Sequence, residues 1–385
     1  MINEIKNLRK ELHKYPEVSG LESNTASLIK SFIEKHNPTQ ILDKIGGHGI
    51  AAIYQFSNDG PSIAIRCELD ALPIGEKNQF AHRSTNDGVS HKCGHDGHMA
   101  IVAGLIFWIK ERAFKSGKII LLFQPAEESG KGAYEVLEDK RFIQLNIDYI
   151  FALHNIPGKT LHSIITMNKC FSAEVQSFKI QLSGRESHAA EPENGINPAT
   201  TISEIITSLS VLNVEDINDD HFANLTPVHI TMGQKSYGIS PAKGELHYTI
   251  RTLNTNKLQI LKSEIESNTE RICQHHKVTF EFNWFEYFPA SLNDSHCNKL
   301  VIEAAKELNF KLVETAIPFK FGEDFGWFSQ KYKAVMFGLG AGKNTPPLHE
   351  ATYDFPEEII ETGISMFKTI ISKIFKSHLT YTRRT

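Results

Sequence analysis

Five short apolar runs bounded by Gly or Pro, with helical periodicity between them, constrain this chain more than any other feature. They cover residues 49–55, 62–67, 118–123, 148–153 and 334–337. Each has the length of a strand and is rich in β-branched residues. None shows the strict alternation of a half-exposed sheet. A helical run covers 98–113, between two of them. At the start of the chain Ile2, Ile5, Leu8 and Leu12 recur at helical spacing, and Pro16 ends that helix by disfavouring helical geometry at Tyr15. A second helix covers 22–36. Strands alternating with helices predict an α/β layer architecture around a largely buried sheet.

The residues just past each run carry the chemistry. Residues 62–67 lead into Glu68-Leu69-Asp70, 118–123 into Gln124-Pro125-Ala126-Glu127-Glu128, and 148–153 into His154. Ligands of open α/β sheets bind beyond the carboxyl ends of the strands, so separate segments deliver metal-type side chains to one rim. The densest segment is His91-Lys92-Cys93-Gly94-His95-Asp96-Gly97-His98, a thiol and three imidazoles just ahead of a helix. Thiolate and neutral imidazole suit Zn²⁺, Mn²⁺, Co²⁺ and Ni²⁺, and the glycines let Cys93 and His95 face one point. Taken alone, this segment equally suits a solvated helix cap. A Glu-Glu pair is more often a solvated turn, and a lone His more often a core residue. Their joint placement at strand exits favours a metal centre.

Composition narrows the partners. With 385 residues, 41% hydrophobic and 22% charged, the chain is an ordinary globular protein of two or three domains. A net charge of −4 offers no basic field to nucleic acid. Cysteines 67, 93, 170, 273 and 297 form no compact disulfide framework. That pattern, an amphipathic opening without a signal-peptide core, and the lack of a long apolar segment predict a cytoplasmic protein without a membrane partner. From residue 174 the pattern reads strand 175–182, helix 198–212, strands 228–233 and 244–253, helix 257–275 and strand 277–286. This β-α-β-β-α-β order is ferredoxin-like. The expected organisation is a catalytic domain over 1–173 and 287–385, closed by a helix over 356–375, with an inserted domain over 174–286.

Eight ordered segments resemble the M20 metallopeptidases, within them the amidohydrolase branch that acts on N-acyl amino acids. They are RKELHKYPEVSGLE, RCELDALP, HKCGHDGHMA, LLFQPAEESGKGA, FALHNIPG, SGRESHAAEPENGINPA, FGEDFGWF and PPLHEATYDFP. The resemblance implies an α/β, two-domain fold: a mixed-sheet, metal-binding catalytic domain and an inserted ferredoxin-like lid through which homodimers form. It further implies that Cys93, His95, Glu128, His154 and His349 ligate two divalent ions per chain (Zn, Mn, Co or Ni), and that Glu127 is the catalytic base. Asp70 would orient a ligating imidazole, His188 would supply an oxyanion donor, and Arg251 would grip a substrate carboxylate. By their own residue patterns, Asp70 equally suits a turn, His188 a surface loop and Arg251 a solvent-facing strand.

Five ligands from four segments exceed one tetrahedral site, so they imply a paired-ion site, bridged by Cys93 or by a water. The implied activity is hydrolysis of the amide bond of N-acyl amino acids by a metal-activated water. A dipeptidase or carboxypeptidase is the alternative within the family, and a non-catalytic metal-binding or regulatory protein the alternative outside it. The chain departs from the branch at Glu68 in the first motif, at Ser236–Pro241 in the lid and at Glu350 beside His349.

Overall fold

The structure is a computed structural model that describes residues 1–112, 114–219, 221–253 and 255–381. Ala113, where the helix over 98–113 was expected to end, and residues 382–385 of the last expected domain lie outside the described residues.

Along the chain, α1 (Ile2–Lys14) buries Ile5, Leu8 and Leu12 on one face, together with Arg9 and His13. α2 (Ser23–Glu34), β1 (Gln40–Ile45), β2 (Gly49–Gln55) and β3 (Ser62–Glu68) come after it. Next are α3 (His95–Glu111), β4 (Lys118–Gln124), the short α4 (Gly132–Glu138) and α5 (Lys140–Ile143), β5 (Tyr149–Ile156) and β6 (Ile164–Thr166). The middle of the chain forms β7 (Glu174–Ser183), β8 (Ser187–His188), α6 (Ala199–Ser210), β9 (Ala223–Met232), β10 (Ile239–Ser240), β11 (Lys243–Thr252), α7 (Thr255–His276) and β12 (Thr279–Phe288). The last third adds α8 (Ser295–Glu307), β13 (Leu312–Glu314), α9 (Gly326–Ser329), β14 (Lys333–Gly340) and α10 (Ile360–Tyr381).

These elements form two compact units. The first comprises Met1–Phe171, Ser291–Ala316 and the chain from Glu323 onward, and the second Ser172–Ala290 with Ile317–Gly322. Residues 317–322, expected in the catalytic domain, group with the second unit because Phe319 bridges Ser172 and its carbonyl accepts from Ala173 N–H at 2.9 Å.

The first unit is built on an eight-stranded sheet in the order β1-β2-β4-β3-β5-β14-β6-β13. Its centre is parallel, with β4, β3, β5 and β14 side by side, and β2 pairs antiparallel with β4. The sheet is therefore mixed, and its parallel strands end on one rim. β5 runs on through Ile156, so His154 lies inside the strand instead of after it, opposite the end of β3. α3 begins at His95, three residues before its expected start, and is buried along nearly its whole length. A helix apolar on every face is a core helix. Each fully buried Ile or Leu in it contributes roughly 1.5–3 kcal/mol. Gly104 allows α10 to approach, since an added Cβ would lie 2.4 Å from Ile364 Cδ1.

The second unit carries an antiparallel sheet ordered β12-β7-β11-β9, connected β-α-β-β-α-β through α6 and α7. Along β11 buried and half-buried residues alternate, the signature of a sheet with one covered face. Leu246, Tyr248 and Ile250 pack there with Ile202, Ile205 and Leu209 of α6 and Leu258, Leu261 and Ile265 of α7. β9 starts at Ala223, earlier than expected, although Pro227 lies within it. It is an edge strand, and a register shift opposite His247 and Tyr248 absorbs the proline.

Candidate metal centre

The five expected ligands converge from separate parts of the first unit. Cys93 and His95 flank Gly94 at the start of α3. Gly94 has φ 98°, and a Cβ there would lie 2.5 Å from Asn155 Oδ1. Glu127 and Glu128 lie just past β4, His154 in β5, and His349 on the loop after β14. Ala126 (φ 52°) and His349 (φ 67°) hold left-handed backbone without being glycine, at a cost of roughly 1–2 kcal/mol each. Both strained residues adjoin the cluster, where chain direction matters most.

The candidate ligand atoms of Cys93, His95 and His154 lie within 4.8 Å of one another, as do those of Cys93, Glu128 and His349, and those of His95, Glu127 and Glu128. Cys93 Sγ is 3.5 Å from His154 Nε2. Glu128 Oε1 is 3.9 Å from Nε2 of both His95 and His349. Cys93, His95 and His154 are buried, whereas the His349 side chain is 53% exposed. His95 Nδ1 lies 2.8 Å from the Asp70 carbonyl, and His154 Nδ1 2.9 Å from that of Asn155. A carbonyl only accepts, so each Nδ1 carries a proton, and in the neutral ring that a metal ion would bind each Nε2 presents a lone pair. The buried His95 Nε2 and Glu128 Oε1 have no hydrogen-bond partner. Groups so placed normally find one.

Asp70 faces the His95 ring with both its carbonyl and its carboxylate. Its main-chain carbonyl, not its carboxylate, accepts from His95; the carboxylate Oδ1 stands 3.6 Å from Nδ1. Oδ2 instead accepts from Ser19 Oγ at 2.7 Å and Glu128 N–H at 2.9 Å. The carboxylate thus fixes the backbone of the neighbouring acid.

Beneath this cluster Arg66, fully buried, pairs with Glu68, with Glu323 at 2.9 Å and with Asp324 at 2.7 Å, and donates to Gln124 at 2.8 Å. Asp324 N–H donates to Glu127 Oε1 at 3.3 Å. With Asp70, Glu127 and Glu128 added, buried carboxylate exceeds buried guanidinium. The excess shows in the protonation equilibria. Burial, with Glu323 and Glu128 nearby, pushes Glu127 well above the usual carboxylate range. Burial, then Glu128 and Glu127, pushes the Cys93 thiol up. At His95 burial opposes a proton, but Asp70, Glu68 and Glu128 prevail and raise it to about 10. A pocket short of positive charge, with an orphaned imidazole nitrogen, an orphaned carboxylate oxygen and a thiol, fits divalent metal ions of the Zn, Mn, Co or Ni type.

The sequence pointed to no role for Arg66, Glu323 or Asp324, and placed Glu68 and His98 only among the metal-type side chains near the rim. His98 donates from Nδ1 to Glu68 Oε2 at 2.7 Å and accepts Asn155 N–H at 3.3 Å, so it holds β5 in place. The signal for Glu323 and Asp324 was available: two adjacent acids among aromatics, in the FGEDFGWF segment.

The other two expected residues belong to the second unit. His188, exposed in β8, accepts Ala190 N–H on Nδ1 at 3.0 Å, which leaves its proton on Nε2 as a donor. Arg251 in β11 donates from Nε to the Lys320 carbonyl at 2.9 Å.

Among the described residues no helix is long and apolar enough to cross a membrane. Two proteins of Bacillus subtilis resemble the chain over most of its length. An N-acetylcysteine deacetylase is 31% identical over 363 residues, 94% of each chain. An N-acetyl-L-cysteine deacetylase is 33% identical over 322 residues, 83% of this chain and 76% of that one. A crystal structure described as a dinuclear metal-binding peptidase of the M20 family, also from B. subtilis, superposes with TM-score 0.82 at 28% identity, covering 97% of this chain and 98% of the other. The model of peptidase family M20/M25/M40 matches residues 64–373. The chain therefore belongs to that family and is a hydrolase of its amidohydrolase type.

Proposed function

We propose that this hydrolase cleaves the amide bond of N-acyl amino acids, releasing a carboxylic acid and a free amino acid. The observation that carries the reading is the meeting of two orphaned donors, His95 Nε2 and Glu128 Oε1, with a second carboxylate, Glu127, in one buried pocket. Cys93, His95, Glu128, His154 and His349 would hold two divalent ions, and Cys93 belongs to two of the groupings. When bound, the ions supply Lewis acidity, lowering the pKa of a water and polarising the substrate carbonyl.

Glu127 stays outside the ligand set. It takes the proton of the attacking water and passes it to the leaving nitrogen. Asp324 N–H holds Oε1, so Oε2, 3.9 Å from His95 Nε2, is the oxygen left to face that water. His188 donates Nε2–H to the oxyanion, and Arg251 binds the carboxylate of the amino-acid half. Pairing of two chains through the lid belongs to the same reading, supported by Val228, Ile230 and Met232 exposed along edge strand β9. The free thiols of Cys67, Cys93, Cys273 and Cys297 support a reducing compartment such as the cytoplasm.

Acetyl is the first acyl group to test, because two relatives carry the name N-acetylcysteine deacetylase. The similar solved structure is called a peptidase, which favours dipeptides as the second reading. A panel of N-acetyl, N-benzoyl and indoleacetyl amino acids beside dipeptides separates the two. Glu127→Gln should keep its metal and lose turnover by ~10²–10⁴-fold. Glu128→Gln should lose metal. Equal metal loss in both variants would reverse the assignment of base and ligand.

A further inference from the structure

Lys92 is fully buried, which is rare for lysine. Its ammonium reaches Glu76 Oε1 at 2.5 Å and the Tyr353 carbonyl at 2.7 Å. Its own carbonyl accepts His349 N–H at 2.8 Å. One residue thus grips both ends of the turn 349–353, which closes on itself through Tyr353 N–H to the Glu350 carbonyl at 2.9 Å. Glu76 is anchored in turn by His13 Nε2 at 3.0 Å, so the ammonium rests on a fixed carboxylate. The Tyr353 hydroxyl accepts Asn155 Nδ2–H at 2.6 Å, which ties the far end of the turn to β5.

His349 needs such a hold. It is half exposed, sits in left-handed backbone and lies on a loop remote in sequence from Cys93, with which it shares a candidate ion. Lys92 is joined to Cys93 by a peptide bond, so the residue that staples the His349 turn is placed by the thiol itself. We propose that Lys92 is a positioning residue for His349, holding its turn against Cys93 and thereby setting the affinity of the metal ion that His349 and Glu128 share. The proposal rests on reading His349 as a metal ligand.

The neutral end of a methionine would take from the Tyr353 carbonyl its shorter and charged donor, leaving only Asn78 Nδ2 at 3.3 Å, and the far end of the turn would be held more loosely. Loss of a partner that orients a ligand weakens metal binding by ~10–100-fold.

The test titrates full-length, chelator-stripped protein with Co²⁺, monitored by calorimetry and by visible absorption, without substrate. Wild type should bind two ions. His349→Ala should weaken one of them, and Lys92→Met should weaken that same ion ~10–100-fold and leave the other unchanged. Glu76→Gln should bind both nearly as wild type does, because its amide oxygen still accepts from Lys92 and the Tyr353 bond is intact. Since Lys92→Met leaves Glu76 buried without its ammonium, Lys92→Met/Glu76→Gln is measured beside it. The double variant should show the same selective loss, with melting curves confirming a folded protein.

Unchanged affinities in the folded Lys92 variants, with His349→Ala impaired, would overturn the proposal and leave the ligand reading standing. Equal weakening of both ions, or an equal loss in Glu76→Gln, would also overturn it, because the effect would then be general or belong to the charge pair. Wild-type binding of both ions by His349→Ala would instead remove His349 from the ligand set, and the proposal with it.

Discussion

His13 should make the stability of this protein depend on pH through a range where few side chains titrate. Its side chain is fully buried on α1, with Nδ1 2.9 Å from Asp96 Oδ2 and Nε2 3.0 Å from Glu76 Oε1. Burial opposes the charge. The bonds to Asp96 and Glu76 outweigh it and raise the pKa from 6.5 to about 9. A group whose pKa is raised on folding stabilises fully below its unfolded value, and that contribution fades as pH climbs through the folded one. The stabilisation is therefore complete at pH 6 and largely gone by pH 9.5. A rise of this size is worth at most ~3 kcal/mol, and less in practice, because the two carboxylates are shared with Arg9 and Lys92.

His13→Gln removes the titration and keeps a polar side chain. Urea unfolding of both proteins at pH 6 and 9.5 should show the destabilisation caused by the substitution shrinking by ~1–3 kcal/mol at the higher pH. Other titrating groups act on both proteins and cancel in the difference. A destabilisation equal at the two pH values would refute the protonated, doubly bonded histidine.

Arg66→Met leaves Glu68, Glu323 and Asp324 buried without their guanidinium and should destabilise the first unit by ~3–5 kcal/mol. A melting temperature unchanged from wild type would contradict that accounting. Gly97→Ala should cost ~1–3 kcal/mol, because the new Cβ would lie 2.3 Å from the Phe355 ring; chemical unfolding reads it directly. Dialysis against a strong chelator should abolish hydrolysis and lower the melting temperature, and a divalent ion should restore both. Full activity in verified metal-free protein would exclude the metal-dependent reading.

The sequence alone was enough to locate the central strands, the inserted β-α-β-β-α-β unit and the cluster of metal-type side chains, because each is written in local periodicity or in side chains a few positions apart. It missed β1, β6 and β13, which are short or partly exposed and lack a continuous apolar run. Through which of its groups Asp70 meets His95 was out of the sequence's reach for a different reason. Whether an imidazole bonds a carboxylate or the carbonyl of the same residue turns on less than an ångström of backbone placement. Arg66 with Asp324, Arg9 with Asp96 and Lys92 with Tyr353 are 258, 87 and 261 positions apart. A lysine or arginine in the sequence reads as a solvated cation, since burial is the exception for these residues. Only the packed chain, by removing water from these side chains and leaving each a partner from a distant segment, made them parts of the site.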